Sequence, residues 1–292
     1  MSRWWRRTLW SWWLVAARRA SRAYVAGPEL TDALPLCRTL ARQGVSSTIC
    51  PWNSEDDSPR RITDTYLAAV NGLVQTGLDG TLSVKAPALG FSRDLLGEVL
   101  QAARRGGIGV HFDALTPDTT DGTLALVEAG LKQWPELGCT LPGRWRRSLA
   151  DGDWAVSQGL VVRVVKGQWP DPDAPDYEAR AGFLAVVERL AGRARRVAVA
   201  THDAPLARAA LGTLLTARTP CEMQLLYGLP IRNSLRVARA LGVPVRIYVP
   251  YGAAWLPYCL TQARRNPRIV WWTARDWLLG RSFRLPAGEG AG

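Results

Sequence analysis

The chain has 292 residues, 47% of them hydrophobic and 21% charged, with a formal net charge of +12. That suits one large soluble globular domain with a sizeable core, and it reaches the roughly 250 residues a (β/α)8 barrel takes. Five cysteines at wide, irregular spacing (Cys37, Cys50, Cys139, Cys221, Cys259), with no CxxC, argue against a disulfide framework or a zinc site and fit a reducing compartment such as the cytoplasm. Two histidines, His111 and His202, exclude a His-rich metal site, so no metal is expected, and they narrow His-based acid–base chemistry to two positions.

The positive charge favours anionic partners: nucleic acid, acidic lipid or a phosphorylated cofactor. The arginines are spread along the chain, many in helical patterns, so a solvated basic surface is the favoured reading. No nucleic-acid recognition motif accompanies them, and no nucleic-acid partner is expected.

In chain order, residues 1–23 come first, with five tryptophans in the first thirteen positions and six arginines in the first twenty-two. The apolar run is too short to span a bilayer, and Arg18, Arg19 and Arg22 argue against an exported leader. Two readings stand: a helix packing its tryptophans on the domain or a second subunit, which is favoured, or a Trp/Arg amphipathic helix on an anionic membrane. The latter would place a cytoplasmic protein at the inner membrane surface.

From residue 24 to 284 apolar strand-like runs alternate with helical patterns. Strands are predicted near 44–50, 81–85, 108–113, 137–141, 160–165, 197–201, 221–227 and 244–250. Helical patterns occupy 28–43 and begin near 62, 92, 119, 177 and 205. Ser92, Thr119 and Asp203 are suited to cap helix N-termini, and Gly44, Gly106, Gly192 and Gly242 to stop them. Eight strands alternating with helices imply a parallel, closed α/β sheet, a (β/α)8 barrel with an N-terminal helical extension and no second domain. Residues 169–176, WPDPDAPD, read as a long loop, and the glycine-rich 285–292 as a flexible tail.

The most informative strand is Leu160 to Trp169, LVVRVVKGQW. Arg163 interrupts a β-branched run, and burying it requires an anion, either a bound cofactor or an acidic core neighbour. Lys166 and Gly167 follow at the carboxyl end, where parallel α/β proteins place their chemistry. Other strand ends carry Lys85, Asp113, Thr201, His202, Glu222, Gln224 and Tyr248. Singly each has a structural explanation; together they point to a site at one barrel mouth.

SVKAPALG (83–90), HFDA (111–114), RVVKGQW (163–169), ATHD (200–203), EMQLLYGLP (222–230) and YVPYG (248–252) resemble, in order, the motifs of proline dehydrogenases, with further likeness at 24–34 and 268–278. The resemblance implies a distorted (β/α)8 barrel holding FAD at its carboxyl face. It places Arg163 by the flavin N5, with backbone contacts from Val165 and Gly167. Trp169 would flank the isoalloxazine or the adenine side, Thr201 and His202 the phosphate and ribose region, and Glu222 and Gln224 would lie beside the cofactor. Lys85, Asp113, Tyr248 and Tyr258 would line the substrate side, and Lys85, Asp113, Arg163 and Tyr248 would carry the chemistry.

Departures bear on the substrate. The family's Tyr-x-x-Arg-Arg-x-x-Glu helix, whose arginines clamp the carboxylate of proline, reads here Tyr258, Cys259, Leu260, Thr261, Gln262, Ala263, Arg264, Arg265. Thr261 and Gln262 stand at the arginine positions, and the arginines present are displaced by about 4.5 Å of helix rise. Loss of such charge-assisted contacts predicts an amine, imine or hydrazine-like substrate other than proline, with a quinone or oxygen as electron acceptor, in specialised metabolism. The alternative is a genuine proline dehydrogenase using Arg264 or Arg265; a further alternative is a non-catalytic binding barrel. Pro142 replaces a flavin-contacting glutamine, and Leu115 an acid.

Overall fold

Strand β5, Val161–Val165, shows why the sheet closes. Val162 and Val164 join the apolar core under the outer helices, while Arg163, also buried, turns to the other face. The same alternation of period two runs through β6 (Arg196–Ala200), β7 (Cys221–Leu226) and β8 (Val245–Tyr251). There Val197, Val199, Met223, Leu225, Ile247 and Val249 face outward, leaving Ala198, Glu222, Gln224, Arg246 and Tyr248 to the interior. The strand is thus covered on both faces as its sequence suggests, but one cover is a polar barrel interior.

The computed structural model describes residues 26–54 and 56–252. The remaining strands are β1 (Ser46–Pro51), β2 (Gly80–Val84), β3 (Gly109–Phe112) and β4 (Leu137–Pro142). All eight pair in parallel in sequence order, and β8 returns to β1 from Ser46↔Arg246 to Pro51↔Tyr251. The expected (β/α)8 barrel and its strands are therefore present.

Helix α1 (Leu30–Ala41) precedes the barrel, and α2 (Pro59–Thr76), α3 (Arg93–Gly106), α4 (Thr120–Leu131), α5 (Ser148–Ser157), α6 (Ala179–Leu190), α7 (Ala204–Thr216) and α8 (Arg232–Ala240) each follow a strand. Fully buried leucines such as Leu73, Leu100 and Leu211 seat these helices on the sheet, each contributing about 1.5–3 kcal/mol. Ser92 and Asp203 cap α3 and α7 through Leu95 N and Leu206 N. Thr119 does not cap α4: its hydroxyl donates back to Thr116 O. Gly44, Gly192 and Gly242 take left-handed conformations after their helices; for α3 it is Gly107, not the helical Gly106, that does so.

Two helices escape the sequence reading. α5, SLADGDWAVS, carries a glycine and two aspartates that blur its periodicity, and α8, RNSLRVARA, is only nine residues long. Residues 1–23, the 268–278 likeness and the 285–292 tail lie outside the described residues. Among those described, no helix is long and apolar enough to cross a membrane.

Candidate active site

The carboxyl ends of the strands surround a cavity of about 840 Å³, at the large end of the range for small-molecule sites. Its wall includes Lys85, Asp113, Arg163, Gln224, Tyr248 and His202. Val165, Gly167 and Trp169 border it too, so most of the sequence-predicted set converges. Thr201 and Glu222 do not reach it. Thr201 accepts from Asp203 N at the start of α7, and Glu222 lies one inward position deeper than Gln224. Tyr258, Thr261, Gln262, Arg264 and Arg265 fall outside the described residues.

Asp113 is the electrostatic centre. Its Oδ1 accepts from Arg163 Nη1 and from Ser83 Oγ, both at 2.7 Å, and its Oδ2 from the Tyr248 hydroxyl at 2.7 Å. Burial alone would raise the carboxyl pKa, but Arg163, Lys85 and the hydrogen bonds from Ser83 and Tyr248 outweigh it and hold Asp113 below the usual range. Tyr248 is driven the other way, well above an ordinary tyrosine, first by burial and then by the Asp113 charge.

Lys85 makes no direct hydrogen bond to Asp113. Its Nζ donates to Cys50 Sγ at 3.1 Å and to Pro51 O at 3.3 Å. Burial opposes its charge, yet Cys50, Tyr66 and Asp113 raise its pKa, so Lys85 is a cation at neutral pH. Cys50, buried on the inner side of β1, is a partner that sequence reasoning missed; the inward register of Thr48, Cys50 along β1 was the available signal.

Arg163 has the acidic neighbour that one of its two explanations required, and it also borders the cavity. Nη1 holds Asp113, Nε donates to Gln224 Oε1 at 2.8 Å, and the guanidinium lies 5.2 Å from the Tyr248 ring centroid. Its buried Nη2 has no hydrogen-bond partner among the described residues. A guanidinium at the cavity wall suits an anionic or electron-rich ligand.

Neither histidine is a ready acid–base group. His202 Nε2 accepts from Leu226 N at 3.0 Å, and Nδ1 faces Pro230 O at 3.1 Å, which requires the Nδ1–H tautomer. Burial lowers its pKa from 6.5 to about 4. His111 sits deeper, against Thr140, and burial followed by the Arg163 charge pushes it well below the ordinary value. Gly138 makes that placement possible, since an added Cβ would fall 2.3 Å from His111 Nδ1.

The loop after β1 forms a wall that was not foreseen: Trp52, Asn53, Ser54 and Asp57 border the cavity, as does Trp145 after β4. A polar loop directly behind a strand's carboxyl end was the legible sign. Gly167 adopts φ +91°, and a Cβ there would come 2.9 Å from Pro142 Cβ, so only glycine brings this backbone so close to β4.

A parallel (β/α)8 barrel with an ion-paired, tyrosine-capped mouth defines the class. No family model matches the chain. It is 23% identical over 266 residues to proline dehydrogenase 1 of Bacillus subtilis subsp. natto, covering 86% of this chain and 88% of that one. To the proline dehydrogenase of Deinococcus radiodurans it is 24% identical over 289 residues, covering 92% and 91%. Its fold superimposes with a TM-score of 0.73 on proline utilization A from Bdellovibrio bacteriovorus inactivated by N-propargylglycine, at 17% identity, covering 82% of this chain and 32% of that chain. The chain thus spans about a third of that larger protein's length. In sequence it is thus similar to proline dehydrogenases, and in fold to the barrel of proline utilization A. These relatives run against the expectation of a non-proline substrate and favour its alternative.

Proposed function

We propose that the protein is a flavin-dependent dehydrogenase of the proline dehydrogenase type, acting on the CH–NH group of proline, with a quinone as acceptor. The observation that carries this reading is the buried Arg163 guanidinium at the wall of a cavity that is also lined by Lys85, Asp113 and Tyr248. Arg163, Gln224, His202, Trp169 and the Val165–Gly167 backbone fit FAD, with Thr201 and Glu222 behind them. A bound flavin would supply the hydride acceptor.

The chain's own residues do the rest. Hydride leaves a carbon beside nitrogen only when the nitrogen lone pair is free, so the amine must react unprotonated. Lys85, a fixed cation, disfavours a second positive charge beside it. Asp113, ionised and tied on both oxygens, holds the guanidinium in place, and Arg163 offsets negative charge developing at the acceptor.

Thr261 and Gln262 at the clamp positions favour a second reading, a cyclic or open amine lacking a carboxylate. The purified protein decides. It should be yellow or become so on adding FAD, and proline should bleach it anaerobically. A flavin-binding protein bleached by pyrrolidine-like amines but not by proline selects the second reading; a protein that never takes up flavin rejects both.

A further inference from the structure

Arg163 is held by a chain of contacts that begins far below the cavity. Gln224 Oε1 accepts from Arg163 Nε at 2.8 Å, while Gln224 Nε2 donates to Glu222 Oε1 at 2.6 Å. Glu222 in turn takes Arg246 Nε on both oxygens, at 3.1 and 3.2 Å, and Arg246 Nη1 donates to Ser47 O at 3.0 Å. Glu222 and Arg246 are buried in the barrel interior and do not border the cavity.

The strand register explains how the chain assembles. Arg163, Ala198 and Glu222 share one level of β5, β6 and β7, and Ala200 and Gln224 share another. Because β6 contributes only methyl groups to the interior there, the Arg163 side chain passes over it and touches β7. Period-two spacing puts Glu222 and Gln224 on one face of β7, so they meet directly.

An amide presents an acceptor on one side and a donor on the other, and either orientation fills the same space. Facing Arg163 with its NH2 would set donor against donor. Glu222 removes the ambiguity, since only a carboxylate acceptor below Gln224 draws the NH2 downward and turns the oxygen toward Arg163. Arg246 keeps that carboxylate compensated where water cannot. The guanidinium is planar, so fixing Nε through Gln224 and Nη1 through Asp113 fixes the orientation of the whole group at the cavity wall.

We propose that Glu222 and Arg246 are positioning residues: acting through the Gln224 amide, they fix the orientation in which the Arg163 guanidinium meets the ligand at the cavity wall. That the ligand is a flavin rests on the function proposed above; the positioning itself does not.

Two double variants of the full-length protein isolate the effect. E222L/R246L and E222Q/R246L both delete the ion pair without stranding a charge, but only the second retains an acceptor for the Gln224 amide. The readout is the Arg163 Nε–Hε resonance of the protein as purified, assigned by its loss in R163K, together with FAD affinity by flavin fluorescence. In E222L/R246L the resonance should broaden or exchange away and FAD should bind roughly tenfold more weakly, the scale of one charge-assisted hydrogen bond. In E222Q/R246L both should stay near wild type. Identical behaviour of the two doubles overturns the proposal. Should the doubles not fold, Q224M, which leaves the Glu222–Arg246 pair intact, must release the same resonance, and an unchanged signal there is equally fatal. A protein that ignores FAD yet loses its resonance only in E222L/R246L refutes the flavin and upholds the positioning.

Discussion

The Tyr248 hydroxyl donates to Asp113 Oδ2 at 2.7 Å, linking the middle of β8 to the residue just after β3. With Arg163 on the other carboxylate oxygen, Asp113 is bound from three strands besides its own vicinity, since Ser83 of β2 also donates to it. Structure and chemistry share this one residue.

Asp113→Ala should therefore be costly to the fold. It leaves the Arg163 and Lys85 cations uncompensated, a loss of about 3–5 kcal/mol by the measure of broken buried pairs. The D113L/R163M double variant, which removes both partners, should recover much of it. Urea unfolding midpoints check this; equal midpoints for D113A and the double variant would contradict it.

Tyr248→Phe takes one donor from Asp113. Its carboxyl, held low by Arg163, Lys85, Ser83 and Tyr248 against the opposing effect of burial, should then titrate at higher pH. The acid limb of the kcat/KM profile should move up accordingly, and activity at neutral pH should fall roughly 10- to 100-fold. A lower plateau with an unmoved acid limb would show that Tyr248 acts without Asp113.

Both histidines predict loss of stability in mild acid. His202 falls from 6.5 to about 4 in the folded protein, and His111 is lowered as well, each chiefly by burial. The unfolded chain therefore binds more protons between those values, and stability present above pH 6.5 is lost as pH falls toward about 4. Because the His202 ring is only partly shielded from solvent, its share is roughly 1–3 kcal/mol. Thermal melts from pH 7.5 to 4.5 test this, and H202Q should flatten the slope.

Gly167→Ala should weaken FAD binding and destabilise the fold by about 1–3 kcal/mol, because φ is +91° and the new methyl meets Pro142 at 2.9 Å. Gly212→Ala, inside α7 with nothing within 4 Å of its Cβ position, should instead stabilise by up to about 1 kcal/mol. Melting temperatures of the two variants should move in opposite directions.

The eight strands were legible because burial on both sides makes each one a short apolar run, and hydrophobic periodicity is a local property. Lys85, Asp113, Arg163 and Tyr248 were legible because ionisable groups at the ends of such runs are rare without a reason. α5 and α8 were not, being short and carrying weak or polar periodicity.

The chain order of its residues alone thus determined a parallel barrel, its family likeness and most of the charged residues at its mouth. Which charge meets which was decided only in three dimensions. Lys85 turned to Cys50, Asp113 to Arg163, and Glu222 away from the cavity to Arg246. Pairing across a closed sheet depends on strand stagger and on the gap left by Ala198 and Ala200, and both are relations between residues far apart in sequence that no single strand encodes.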